Sequence, residues 1–166
     1  MKVFIYSRKA IKKILQSGLP NNTAVISFYD PPNIMTGEIT KPVNFKGIAK
    51  RVFTIPIHDI DREILADYGL SVDTYFPEVN NLAEFIYEAY KNGLDIICQC
   101  EYGQSRSAAC AAAILEHFYK TGITVFSDYK YYPNQLIFNK VLTALNQLEK
   151  EQRKGIKNER SYLCKV

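Results

Sequence analysis

Histidine is scarce in this chain of 166 residues, where His58 and His117 are the only two. No second Cys/His pair stands at ligand spacing, so neither a metal site nor a cofactor is expected. Cysteine is sparse too. Of the four, Cys98, Cys100 and Cys110 fall in one short stretch and Cys164 stands apart. That is no disulfide framework and fits a reducing compartment. No apolar run approaches the length of a membrane span, and the stretch Met1–Tyr6 is too short for a secretory signal. A cytoplasmic protein with no membrane partner is expected. The net charge of +4 mildly favours anionic partners and is too small to argue for nucleic acid. Internal repeats and low-complexity segments are absent as well. The composition, 47% hydrophobic and 23% charged, is that of an ordinary globular protein, long enough for one domain with a real core.

Along the chain, strand and helix patterns alternate. Lys2–Tyr6 reads as a strand. Ser7 can cap a helix bearing Ile11, Ile14 and Leu15 on one face, which Gly18 and Pro20 end. Thr23–Tyr29 reads as a second strand, stopped by Asp30-Pro31-Pro32. Asn33–Lys50 reads as a surface loop with a short strand near Val43–Phe45. Arg51–Ile57 is a third strand, with Pro56 marking its end, and the segment from His58 to Thr74 has little pattern. Pro77 suits the first turn of a helix carrying Val79, Leu82, Ala83, Ile86 and Tyr90, closed by Asn92-Gly93. A fourth strand from Leu94 leads into an alanine-rich helix running to about Tyr119, with Thr121-Gly122 ending it. Ile123–Tyr132 is irregular and aromatic. Pro133-Asn134 starts a last helix with Ile137, Val141, Ala144, Leu145 and Leu148 on one face. From Glu149 the period is lost. The expected organisation is a domain over 1–150 and a basic tail over 151–166. The alternation predicts a single α/β domain with a central, largely parallel sheet flanked by helices, whose ligands bind beyond the carboxyl ends of the strands.

The chemistry concentrates between the fourth strand and the alanine-rich helix, in Cys100-Glu101-Tyr102-Gly103-Gln104-Ser105-Arg106-Ser107. Gly103 lets the loop turn with φ > 0. Loop amides and a helix N-terminus make an anion site. A thiol at its floor is held as the nucleophilic thiolate, and a guanidinium at its rim can grip two phosphate oxygens. Both Cys100 and Asp59 fall at carboxyl ends of strands.

This loop resembles the signature of the cysteine-dependent protein tyrosine phosphatases, in the Ser-Arg-Ser form of the dual-specificity branch. The likeness runs from Phe53 to about Leu148 and takes in Ile55-Pro56-Ile57-His58-Asp59, similar to the family's acid-loop strand, and Pro133-Asn134. It implies a metal-independent phosphate-monoester hydrolase with Cys100 as nucleophile, forming a phosphocysteine intermediate. It implies that the amides of Glu101, Tyr102, Gly103, Gln104, Ser105 and Arg106 cradle the phosphoryl group, that Arg106 binds two of its oxygens, and that Ser107 hydrogen-bonds the leaving thiolate. An Asp is the general acid and base; Asp59 is the first choice, with Asp61 and Asp73 as alternatives. His58 reads as structural or solvent-facing, with contact to substrate as the lesser alternative. Tyr102 either flanks the pocket or is a surface tyrosine. The tyrosines at 129, 131 and 132 either pack beside the last helix or form a substrate surface. Cys98 and Cys110 read as core thiols rather than redox partners.

One departure stands out: Gln99 replaces the His that usually precedes the nucleophile, so a hydrogen bond remains but no charge. Glu101 and Gln104 stand where phosphoinositide phosphatases carry Lys, which favours a phosphorylated protein over a lipid head group. Phosphotyrosine is the expected target, with phosphoserine and phosphothreonine as further ones. Two rivals stay open: a pseudophosphatase that binds phosphorylated partners without turnover, which Gln99 motivates, and a sulfur- or arsenate-handling enzyme, which would use Cys98 or Cys110 for exchange.

Overall fold

The computed structural model describes residues 1–33, 36–49 and 51–163, with side chains described as far as 154. Four strands, β1 (Val3–Ser7), β2 (Thr23–Tyr29), β3 (Arg51–Pro56) and β4 (Asp95–Cys100), form one sheet in the order β1-β4-β2-β3. Every pairing is parallel. The helices are α1 (Arg8–Ser17), α2 (Val79–Lys91), α3 (Arg106–Tyr119), α4 (Ile123–Phe126) and α5 (Gln135–Leu163). No described helix is long and apolar enough to cross a membrane.

The pleat sorts the core into two layers, because successive strand residues face opposite sides. Ala24, Ile26 and Phe28 of β2 and Ile96, Cys98 and Cys100 of β4 pack with α2, α3 and α5. Val25 and Ile97 face the other way, onto Ile11 of α1 and onto Val43 and Phe45. Central strands buried on both faces need near-continuous apolar runs, and β2 and β4 supply them. Cys98 and Cys100 therefore share a face, as their spacing predicts. In α3, Ala108, Ala109, Ala111, Ala112 and Ala113 are all fully buried, so small side chains let this helix run through the middle of the molecule.

Several local expectations change. Val43 and Phe45 are buried but form no strand; they plug the α1 side of the sheet from a loop. The third strand stops at Pro56, one residue early. Within the segment of little pattern, Arg62–Tyr68 forms a 3₁₀ helix that buries Leu65. Pro77 precedes α2 in a turn closed by the Val79 amide on the Phe76 carbonyl, instead of sitting in its first turn. Tyr90 is half-exposed and stacks on Phe118 instead of joining the core. Lys120, at φ 60°, takes the left-handed position after α3. Ile123–Phe126 is helical rather than irregular, because the amide of Ser127 closes a turn on the Ile123 carbonyl. Asn134 caps α5, its Oδ1 accepting from the Ile137 amide at 3.0 Å. The backbone of α5 continues to Leu163. Most of the basic tail expected over 151–166 lies outside the residues whose side chains are described.

Candidate active site

β4 sits beside β2, and β3 lies beyond β2, so the carboxyl ends of these three strands open on one side of the sheet. Cys100 ends β4, with the 101–105 loop and α3 following directly. The loop is shaped by where its carbonyls go. The Cys100 carbonyl accepts from Gln99 Nε2 at 2.6 Å. The Glu101, Gln104 and Ser105 carbonyls accept from the amides of Arg8, Tyr132 and Ala109 at 3.0, 2.9 and 2.8 Å. In a trans peptide unit the N–H points opposite to the C=O. The amides of Glu101, Tyr102, Ser105 and Arg106 are thereby turned away from those partners. The Gly103 amide donates to Cys100 Sγ at 3.2 Å.

Gly103 is required twice over. Its φ is +73°, and a Cβ there would stand 2.5 Å from the Ser7 amide nitrogen. The loop therefore presses on the end of β1, where the Arg8 amide and the Arg8–Glu101 ion pair (3.5 Å) also hold it. Gly103→Ala should cost at least about 2 kcal/mol, from the left-handed conformation and the clash together. Denaturant titration reads this directly. Stability and phosphate affinity that both match wild type would mean that the loop can relax away from β1.

Cys100 is almost fully buried, and its Sγ lies 3.1 Å from Ser107 Oγ. Arg106, also almost fully buried, sends its guanidinium across the ends of β2 and β3. Nη1 donates to Asp30 Oδ1 at 2.7 Å and to the Ile57 carbonyl at 2.8 Å. Its Nε lies 3.7 Å from Asp59 Oδ2 and is buried without a hydrogen-bond partner. Ser105 stands at the N-cap of α3 but does not cap it. Its hydroxyl donates instead to Asp59 Oδ1 at 2.6 Å, where Asn134 Nδ2 also donates at 3.1 Å. The helix N-terminus is thus left with uncapped amides at the loop, which favours an anion.

Residues 58–60 are clamped from both sides. The Tyr75 hydroxyl donates to the His58 carbonyl at 2.5 Å, and Asn134 Nδ2 donates to the Ile60 carbonyl at 3.0 Å. Burial, aided by the Asp59 carboxylate, pushes the Tyr75 hydroxyl far up, so it stays a donor. Burial also lowers the His58 pKa; Asp30 opposes that shift and Arg106 adds to it. His58 packs on the Tyr68 ring, with centroids 4.9 Å apart.

Of the sequence candidates, Cys100, Gly103, Ser105, Arg106, Ser107 and Asp59 come together. Asp61 and Asp73 do not reach Arg106. They line an open groove of about 1370 Å³ that leads off Asp59 and Ser105 beside α5. Tyr102 is a surface residue, 77% exposed. Tyr131 packs on the Ala108–Ala112–Val125 cluster beside α3, while Tyr129 and Tyr132 are exposed. Gln99 is buried and faces the loop: as its Nε2 holds the Cys100 carbonyl, its Oε1 accepts from Ser27 Oγ at 2.6 Å across the β2–β4 pairing. Cys98 and Cys110 are fully buried, and burial with a hydrogen bond from Cys110 raises the Cys98 thiol. Among the described residues, no group of three His, Cys, Asp or Glu could hold a metal ion.

Asp30, Ser27, Tyr75 and Asn134 complete this surrounding. Only Pro133-Asn134 carried a signal in the sequence, as a helix start; Asp30-Pro31-Pro32 reads there simply as the stop of a strand.

The chain matches no protein-family model and no curated protein. Solved structures do match. Human DUSP28 aligns with a TM-score of 0.51 at 13% identity, over 90% of this chain and 94% of its own. The human tyrosine phosphatase-like serine/threonine/tyrosine-interacting protein aligns with a TM-score of 0.50 at 18% identity, over 90% and 92%. PTPMT1 in complex with PI(5)P aligns with a TM-score of 0.50 at 9% identity, over 91% and 94%. With the all-parallel sheet and flanking helices, these neighbours show that the chain has a protein tyrosine phosphatase-like fold.

Proposed function

We propose that this protein hydrolyses phosphate monoesters on proteins, phosphotyrosine above all and phosphoserine or phosphothreonine as further targets, through a phosphocysteine intermediate. One observation carries the reading: Arg106, the residue that follows the Cys100 loop and opens α3, keeps a buried Nε without a hydrogen-bond partner, 3.7 Å from Asp59 Oδ2. A tetrahedral phosphate dianion over Cys100 would satisfy that donor and the free amides together.

The chemistry follows from the arrangement. The Cys100 thiolate attacks phosphorus, forming the S–P bond as the P–O ester bond breaks. Asp59 gives its proton to the leaving oxygen. It then takes a proton from the water that attacks the phosphocysteine, and the S–P bond breaks with the electron pair returning to sulfur. Ser107, 3.1 Å from Sγ, donates to that thiolate. Glu101, Tyr102, Gly103, Gln104 and Ser105 contribute backbone amides. No step calls on a metal or cofactor. Because the nucleophile must stay reduced, a cytoplasmic location suits it.

Gln99 supports turnover more than a binding-only role, since it keeps the loop carbonyl in place by a hydrogen bond. Fully buried Cys98 and Cys110 do not suit a thiol-exchange reaction. The test is phosphate release, with chelator present, from phosphotyrosyl, phosphoseryl and phosphothreonyl peptides and from phosphoinositides. The phosphotyrosyl peptide should be fastest. Tight binding of phosphopeptide without release would favour the pseudophosphatase, and faster phosphoinositide turnover would overturn the protein substrate.

A further inference from the structure

Asp30 is the first residue beyond β2, and its side chain reaches into the Arg106 cluster. A guanidinium has five N–H donors in one plane. Both hydrogens of Nη1 are committed, one to Asp30 Oδ1 at 2.7 Å and one to the Ile57 carbonyl at 2.8 Å. Two acceptors on one nitrogen, from two different strand ends, fix the plane and its rotation. The edge left over is Nε with Nη2, whose parallel N–H bonds match two oxygens of a phosphate. Nε on that edge is the buried donor without a partner.

We infer that Asp30 is a positioning residue: it holds Arg106 by Nη1 so that the Nε/Nη2 edge is presented, already oriented, to the phosphoryl group over Cys100. This rests on the proposed phosphatase reading. The topology explains why the role falls to this position. β2 is the neighbour of β4, so the first residue beyond β2 stands next to the loop that follows β4. The Ile57 carbonyl alone would leave the guanidinium free to swing about that one bond. Asp59 cannot take over, because its Oδ1 is held by Ser105 and Asn134 and its Oδ2 faces Nε, the edge that substrate needs. His58 also faces this cluster: burial lowers its pKa, Asp30 opposes that shift and Arg106 adds to it.

The test compares wild type, Asp30→Ala and Asp30→Asn. It measures kcat/KM on a phosphotyrosyl peptide, affinity for inorganic phosphate and for orthovanadate, and the melting temperature. Asp30 is half-exposed but its partner Arg106 is buried, so Asp30→Ala should still fold with a lowered melting temperature, and Asp30→Asn, which keeps the acceptor, should lower it less. Asp30→Ala should lose on the order of 10²-fold in kcat/KM, as misplaced catalytic groups do, and should bind orthovanadate more weakly. Asp30→Asn keeps an Oδ1 acceptor and should recover most of both losses. Wild-type kcat/KM and vanadate affinity in Asp30→Ala would overturn the role and leave the phosphatase reading intact. A wild-type protein that turns nothing over but binds phosphate in an Asp30-dependent way would overturn the reading and keep the role. Failure to bind phosphate at all would overturn both.

Discussion

Cys100→Ser is expected to abolish turnover, by on the order of 10⁴-fold or more, as removal of a covalent nucleophile does. Phosphate-ester binding should survive, because a serine hydroxyl fits the space of the thiol and leaves the loop amides and Arg106 untouched. The reason lies in charge. At neutral pH a serine hydroxyl is un-ionised, and none of the groups around Sγ is a strong base: Ser107 Oγ lies at 3.1 Å and the Gly103 amide at 3.2 Å. Nothing there would take the serine proton, so the S–P bond has no O–P counterpart that forms at a useful rate. The measurement pairs steady-state turnover with calorimetric binding of a phosphotyrosyl peptide. Residual activity of a few per cent would move the chemistry away from Cys100, and lost binding would mean that the thiol helps to shape the loop.

The second large effect concerns Asp59. Asp59→Asn should slow hydrolysis of a phosphotyrosyl peptide by about 10²- to 10⁴-fold. The loss should be far smaller for an activated aryl phosphate, whose leaving group needs no proton. This contrast separates proton donation from a structural role, which would slow both substrates alike. Such a role is a real competitor, because Asp59 Oδ1 accepts from both Ser105 and Asn134 and so ties the acid segment to the loop and to α5. The amide oxygen of the substituted side chain can accept the same two hydrogen bonds, so this variant spares the scaffold. Parallel Asp61→Asn and Asp73→Asn variants settle the assignment: leaving-group dependence in either of them, with none in Asp59→Asn, would make that residue the acid.

The make-up of the candidate loop was legible because it is local. A strand, a glycine and a helix start follow one another within a few residues, and Cys100, the loop amides and Arg106 belong to one continuous segment. The alternation of β and α patterns was legible for a similar reason, since burying β2 and β4 on both faces demands apolar runs that are visible in the sequence. Asp59 was legible as a strand-end carboxylate, but its nearness to Ser105 and Arg106 was not, since that needs β3 to lie two strands from β4.

What the sequence by itself determined, then, is the α/β layering and the placement of the Cys100–Ser107 segment between a strand and a helix start. Tertiary structure alone decided how Arg106 is held. The partners of its Nη1 come from residues 30 and 57, far along the chain, and are brought together by strand order, which no local pattern encodes. It also decided how Gln99 acts, because Ser27 becomes its partner only through the β2–β4 register. The same holds for Val43 and Phe45. Their apolar character was plain, but whether they pair as a strand or plug a core depends on the face of the sheet that α1 leaves uncovered.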